Sequence, residues 1–540
     1  MKTVGIYPAA NFERLHMLFA AISLFEPVRF QAVEDVRDSS VDALLLFEVP
    51  FAEIVSMAAN RRVLAFERGI SNSIQASNGP IRFENSLGLA HIFRGQELPD
   101  SRGASVLSSV PEGAEMLASK RSAPIWVRGN LQGGIVDLVA GELPTLDEKP
   151  YLYQYFQPGD CMNLLPLFHF VKELTGAFLV DKPPLRACFM FDDPNLHWPS
   201  FGYIKYGSLI ESAKRHNYHV SFATVPLDAW FVHEPTAKLF RQQANRISLL
   251  VHGNNHTYRE LAGTFNNGES LQMAAQSLQR IARLERRSGV AVSRVMAAPH
   301  GACNEQAAEA LLNVGYEAAC ISRGSLMNTN ASKSWSSITG LTPAEFLGQG
   351  LPIIPRFRIT RFCQPEIILA AFLGQPIIPV GHHQDLADGY DMLVELATFI
   401  NRLGSVVWTD LGTLIRSNYT FRQEGQTAYI ELYSRHVRFE LSPGLNRMVV
   451  RRPWLEHNSE AEPLVIIGPD RFRLDLLAGE MTSPIPIEST GLVEIFSPVT
   501  EVVDYLQVPC HAAGLWPISR RILTEGRDRF RGLLRYRHLG

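Results

Sequence analysis

Short apolar runs alternate with stretches of helical period through the first third of the chain. Apolar runs fall at 3–7, 28–33, 43–47 and 63–66, with helical patterning from about 11 and again near 50–60. That rhythm predicts a small α/β unit with a parallel sheet, flavodoxin- or Rossmann-like. A further helix is expected over 161–175. It leads to Asp181-Lys-Pro-Pro184, where paired prolines cannot continue a helix and favour an extended linker. A second series then begins, with strands expected at 186–192, 218–224, 247–252, 295–299, 317–321, 376–382 and 405–409. Helices are expected between them at 203–215, 270–287, 305–314 and 390–403, which together suggest a barrel or a wound sheet. After about Ser417 the pattern becomes short alternating runs such as TAYIELY, VRFELS, RMVVRRPW, PLVIIG and LVEIFS, broken by Pro, Gly and Asn. These read as an antiparallel β module. The predicted division is an N-terminal α/β domain over 1–180, a barrel-like domain over 181–416 and a β-rich domain over 417–540. A chain of 540 residues is too long for one ordinary core, so such a division is required.

Composition narrows the function classes. Hydrophobic residues make up 46% and charged residues 19%, as in globular proteins, and the formal net charge of -3 supplies no broad attraction to nucleic acid or anionic membranes. The opening MKTVGIYPAANFERLHMLFAAISLF has charged Glu13 and Arg14 before its apolar run, the wrong order for a secretory signal. No window is long and apolar enough for a membrane span, so a cytoplasmic location is expected. The six cysteines contain no CxxC pair, and neither disulfides nor a thiolate metal site is expected. No GxGxxG or Walker pattern opens the first helix, which leaves the N-terminal domain without a nucleotide-binding signal.

Candidate chemistry gathers at the predicted strand ends of the middle domain, where barrels and wound sheets place their sites. Asp192 and Asp193 follow the apolar run 187–191, and two adjacent carboxylates there repel each other unless a cation compensates. His252 and His256 follow LLV; histidines four apart on a helical turn face one way and can share an ion. Pro299-His300-Gly301 is expected to form a turn exposing backbone N–H groups that can stabilise an oxyanion. His382 and His383 end the run IIPVG, where an imidazole can protonate a leaving amine.

In order and spacing these segments resemble the polysaccharide deacetylase family (NodB homology, the family 4 carbohydrate esterases), whose motifs run TFDDGP, H[ST]xxH, RxPYG and a late LxH. The resemblance covers about residues 185–415. It implies a distorted (β/α) barrel with Asp192 as general base, Asp193, His252 and His256 as metal ligands, the His300 backbone N–H at the oxyanion, and His382 as catalytic acid. It further implies zinc or another first-row divalent ion, with cobalt, manganese or nickel as alternatives, and an N-acylated sugar or glycan precursor as substrate. The chain departs from the pattern at Gly253, at Pro194-Asn195, at His300 in place of tyrosine, and at Ala297, which stands where the family has the arginine that orients the base. Arg294, Arg356, Arg358 and Arg361 are candidates to replace that arginine through space.

His197, Trp198 and Asn255 are further candidates for holding substrate, since aromatic faces stack on sugars, although each is equally suited to shaping its loop. The basic run at 280–287, RIARLERR, fits the exposed face of a helix. Two functions of different class are expected: a metal-dependent hydrolase of an N-acyl sugar, or a non-catalytic carbohydrate-binding or scaffold protein on the same fold, favoured by loss of the motif arginine. A glycosidase pairing Asp192 with another carboxylate is disfavoured by the histidine pair. The oligomeric state has no sequence signal.

Overall fold

The computed structural model describes residues 1–68, 79–101, 103–179, 183–263, 266–453, 464–467, 470–473, 484–487, 491–499, 501–512 and 514–536. The chain forms two compact units. One comprises residues 1–181 with 334–342 and 365–373; the other holds the rest. The expected linker at 181–184 begins outside the described residues, as do both ends of the PLVIIG run.

In the first unit the strands Lys2–Tyr7, Val28–Ala32, Ala43–Phe47 and Arg62–Glu67 pair in parallel, as the alternating pattern predicts. Gly134–Ala140 adds a fifth parallel neighbour. From it an antiparallel extension runs through Ala123–Leu131, Glu115–Lys120, Ile81–Phe83 and Glu97–Leu98, so the sheet has nine strands. That half was not expected. Its apolar runs are interrupted by charges that pair within the fold: Arg128 lies 2.7 Å from the buried Asp137 and 2.9 Å from Glu173.

In the second unit six strands follow one another in parallel: Phe189–Asp192, Val220–Thr224, Ile247–His252, Val292–Ala297, Ala318–Ile321 and Leu351–Pro355. Pro379–Gly381 and Phe357–Arg358 extend one side, and Glu345–Leu347 closes the other in antiparallel sense. Leu185–Ala187 pairs with Val406–Trp408 in a separate two-stranded sheet, so the main sheet is a half-barrel. One face of it carries Cys188, Met190, Ala223, Leu250, Ala297 and Cys320, which share a core with Leu411, Leu414 and Ile415.

The segment after Ser417 belongs to this unit and folds as two four-stranded sheets around one core that includes Ile430, Val437, Met448 and Ile495. Two corrections to the sequence reading follow. Thr427–Leu432 and Arg447–Arg451 pair in parallel, so the module is not purely antiparallel. The chain then ends in a 22-residue helix, Leu515–Tyr536, where only β structure was expected.

Candidate metal centre

Asp192 is the last residue of the strand Phe189–Asp192 and is buried. Asp193 continues with φ 83, a left-handed conformation that costs a non-glycine residue energy, while its N–H is held by the Ala223 carbonyl at 3.0 Å. The turn sends successive carboxylates in different directions, as two acids side by side require.

His252 ends the neighbouring strand Ile247–His252. Its Nδ1 lies 2.9 Å from the Ala297 carbonyl, which sets the tautomer and leaves Nε2 as the free lone pair. His256 does not lie on a helix with it, contrary to the expectation from four-residue spacing. The loop turns through Gly253 at φ 63 and His256 at φ 57, and this brings the ring centroids to 4.8 Å. His256 Nε2 is 3.4 Å from Asp193 Oδ1. One ligand atom from each of Asp193, His252 and His256 lies within 4.8 Å of the others, close enough to surround one cation.

The donor set fits a first-row divalent ion by its chemistry: two imidazoles and a carboxylate with room for further ligands. One imidazole already has its tautomer fixed. The other is partly buried with an enclosed, unpartnered Nδ1, and desolvation with the nearby His252 pushes its pKa down to about 3 against the opposing pull of Asp193. A neutral imidazole is the form that binds metal. Burial works against the charged form of Asp193, but Arg521 and then His256, His252 and His382 more than offset it and hold the carboxyl well below its ordinary range.

Two residues that shape the site escaped or half escaped sequence reading. Glu260, buried, accepts the N–H groups of Asn254 at 2.7 Å, Asn255 at 3.0 Å and His256 at 3.1 Å, so one carboxylate organises the whole ligand loop. A carboxylate four residues beyond the second histidine carries no signal that separates it from a solvated one. Glu260→Ala is expected to destabilise the fold by about 3 kcal/mol, because the buried Asn254 N–H and the half-buried Asn255 and His256 N–H groups lose their acceptor. It should also weaken zinc binding at least about tenfold, read by chemical denaturation and chelator competition.

The second is Arg356, which follows the strand Leu351–Pro355. Its Nη1 donates to both oxygens of Asp192 at 3.2 Å and its Nη2 to the Ala298 carbonyl at 3.2 Å. Of the four arginines considered, this one reaches the carboxylate. Arg294 pairs with Glu285 and Arg361 with Glu395, and Arg358 is exposed.

The remaining candidates divide. His300 sits on the expected turn at φ 56, its ring 5.5 Å from that of His256. His382 is exposed, with its backbone N–H bonded to Asp385 at 2.8 Å. His383 is buried against Phe201 and Tyr203, 3.6 Å from Asp528. His197 is buried as well and offers no face to a sugar. Trp198 is half exposed, with Arg529 over its ring. Asn255 is held at both ends, by Glu260 and by Arg280 at 2.8 Å, and so supports the loop rather than facing a ligand. Arg280, from the run assigned no role, thus braces this loop, bonding Asn254 as well.

The terminal helix lies over these strand ends. Arg521 is 3.0 Å from Asp193 and 2.5 Å from Asp228, Glu525 is 3.0 Å from His197 Nδ1, and Arg520 donates to the His256 carbonyl. One helix therefore engages loops that follow three different strands and, through Asp528 at His383, a fourth.

The His197–Glu525 contact predicts a pH dependence. Burial opposes the charged imidazole, but Glu525 raises its pKa above the ordinary value, and the Glu525 carboxyl is lowered to about 2 despite burial. A raised histidine stabilises the fold below its unfolded pKa of about 6.5 and loses that contribution as pH rises through the native value. Wild type is therefore expected to melt above His197→Gln near pH 6, with the gap closing as pH rises through the raised native value; a gap independent of pH contradicts the pairing.

Comparison with known proteins adds the following. No family model matches the sequence, and no curated protein matches it. Solved structures to which the chain is similar include a provisionally assigned polysaccharide deacetylase from Mycobacterium smegmatis, at 16% identity and TM-score 0.31, covering 44% of this chain and 91% of that one. A family 4 carbohydrate esterase from Streptomyces lividans matches at 12% identity and TM-score 0.22, covering 41% and 86%. A mutant of a family 4 pseudoenzyme with restored enzymatic activity matches at 13% and 0.22, covering 41% and 63%. These structures come from the family whose motif order the sequence resembles.

Proposed function

We propose that this protein is a metal-dependent hydrolase that removes an N-acetyl or similar acyl group from a sugar or polysaccharide precursor. The observation that carries the reading is the convergence of Asp193, His252 and His256, beside a second carboxylate, Asp192, that is held by Arg356. A divalent ion such as zinc, held by those three, supplies Lewis-acid polarisation of an amide carbonyl and acidifies water.

The chain's own groups divide the remaining work. Asp192 takes the proton of the attacking water, and Arg356 fixes which of its lone pairs faces the substrate. The His300 N–H, on its left-handed turn, holds the developing oxyanion. His382 gives a proton to the departing amine, and the exposed position of its ring suits contact with a substrate entering from solvent. His383, buried, supports the neighbouring loop. The products are a carboxylate and a free amino sugar. Acetate release from N-acetylated chito-oligosaccharides by the zinc-loaded protein tests the reading; no release from these or from any N-acetyl sugar by a loaded protein would refute it.

A non-catalytic reading is favoured by one observation: Arg521 lies on the carboxylate proposed as a ligand. A guanidinium and a metal ion compete for the same charge, so Arg521→Gln is expected to raise zinc affinity about tenfold in chelator competition. If acetate release appears only in that variant, the wild-type chain is a binding protein whose site is held closed.

A further inference from the structure

The terminal helix is oriented against the usual rule. Its charged residues Arg521, Glu525 and Asp528 are spaced four and three apart and turn inward to Asp193, His197 and His383. Its apolar residues turn outward: Leu515 is 85% exposed, Trp516 72%, Ile522 59% and Leu523 71%. A helix in water ordinarily does the reverse, and clustered exposed apolar side chains mark a surface that another phase or partner covers.

This surface continues beyond the helix. Trp230 and Phe231, both exposed, lie against His197, the residue that Glu525 holds. The carbonyl of Trp230 accepts from Arg287 at 2.7 Å, which sets the end of the helix Asn267–Ser288 beside them. That end carries Arg283, Arg286 and Arg287, all exposed; they come from the basic run to which sequence reading gave no role. In sequence the terminal helix is basic too, with six arginines against Glu525 and Asp528. Of its described arginines Arg520, Arg521 and Arg529 turn inward and Arg527 is exposed, so the leucine, isoleucine and tryptophan side chains project with Arg527 and the Arg283, Arg286 and Arg287 cluster, a mix of apolar and basic groups that suits the interface of a bilayer. Nucleic acid offers phosphate to the arginines but nothing to Leu515, Ile522 or Leu523, and a second copy of this chain would bring the same positive charge to the contact.

We infer that the face carrying the terminal helix, above the loops of the metal centre, binds an anionic lipid surface, with the exposed side chains of Leu515, Trp516, Ile522 and Leu523 seated among the acyl chains. The charge is local, since the whole chain is at -3. No described helix is long and apolar enough to cross a membrane, so the association is peripheral. Resting on the proposed hydrolase reading, this adds that the acyl sugar is presented at a membrane, as on a lipid carrier. The lipid binding itself does not depend on that reading.

Co-sedimentation of the full chain with vesicles of phosphatidylcholine, alone or mixed with phosphatidylglycerol, tests the inference. Wild type is expected to bind the mixed vesicles, more weakly as salt rises, and to bind phosphatidylcholine poorly. The triple variant Trp516→Gln, Ile522→Gln, Leu523→Gln keeps helix-forming residues and should lose at least about tenfold in binding, while Arg283→Gln with Arg286→Gln should lose severalfold. Unchanged zinc affinity and circular dichroism in both variants show that the fold persists. Absence of binding by wild type, or equal binding by the triple variant, overturns the inference. So does concentration-dependent dimerisation that the triple substitution abolishes, since a second copy would then cover the face. Acetate release by zinc-loaded wild type is read alongside: its absence from soluble and vesicle-borne N-acetyl sugars alike sinks the hydrolase reading alone.

Discussion

Asp192→Asn is expected to lower acetate release by roughly a thousandfold or more while the protein still binds its ion. Positioned proton transfer contributes about a hundredfold to ten-thousandfold to turnover, and the amide that replaces the carboxylate cannot accept a proton at neutral pH. Both oxygens of Asp192 accept from Arg356 Nη1 at 3.2 Å; the amide has the same volume but keeps one acceptor and no charge for the guanidinium, so stability falls as well and turnover is compared at full folding. Zinc content by atomic absorption and turnover are measured on one preparation. Full occupancy with lost turnover supports Asp192 as base; unimpaired turnover removes it from the mechanism.

Arg356→Ala is expected to produce two effects of comparable weight. The side chains of Arg356 and Asp192 are 6% and 7% exposed, so removing the guanidinium leaves a buried carboxylate without its countercharge. Breaking such a pair destabilises by about 3–5 kcal/mol. Turnover should fall about a hundredfold beyond any loss of folded protein, because the base loses its orientation. Arg356→Lys should restore part of the stability and little of the rate. A point charge replaces the countercharge, but it cannot bridge both Asp192 oxygens and the Ala298 carbonyl as the planar fork does. Urea denaturation with kcat measured at full folding separates the two effects. If Arg356→Lys is as active as wild type, Arg356 serves only as a countercharge.

How much of this was legible in the sequence depends on whether a residue's role is local. Asp192, Asp193 and His252 stand at the ends of apolar runs long enough to be buried strands, and the strand ends of such sheets converge. The pairing of a DD with a histidine at another strand end therefore predicted the cluster, although the residues between the two histidines turn through left-handed backbone rather than a helix. Arg356 reaches the Asp192 carboxylate from the end of another strand. Its contact crosses 164 residues of sequence, and sequence offered four equivalent candidates. Glu260 acts by accepting backbone N–H groups, a role that no side-chain pattern announces.

The terminal helix was missed for a physical reason. Pattern reading assumes that the apolar face turns inward, whereas Arg521, Glu525 and Asp528 of this helix turn inward instead. Pro517 near its start and Gly526 within it weaken the helical signal further. His197 failed as a sugar platform for the same reason: its partner, Glu525, lies 328 residues away. The antiparallel half of the first sheet was hidden by charges that pair only once the strands are in register, Arg128 with Asp137 among them.

Metal titration is the most direct test of the central claim, that Asp193, His252 and His256 hold one ion. Cobalt added to the metal-free protein should give a saturating visible absorbance at one equivalent per chain, and zinc should displace it. His252→Ala, His256→Ala and Asp193→Ala should each weaken binding by at least about a hundredfold. Cobalt binding that all three substitutions leave unchanged, or no binding by wild type even after Arg521→Gln, would contradict the account.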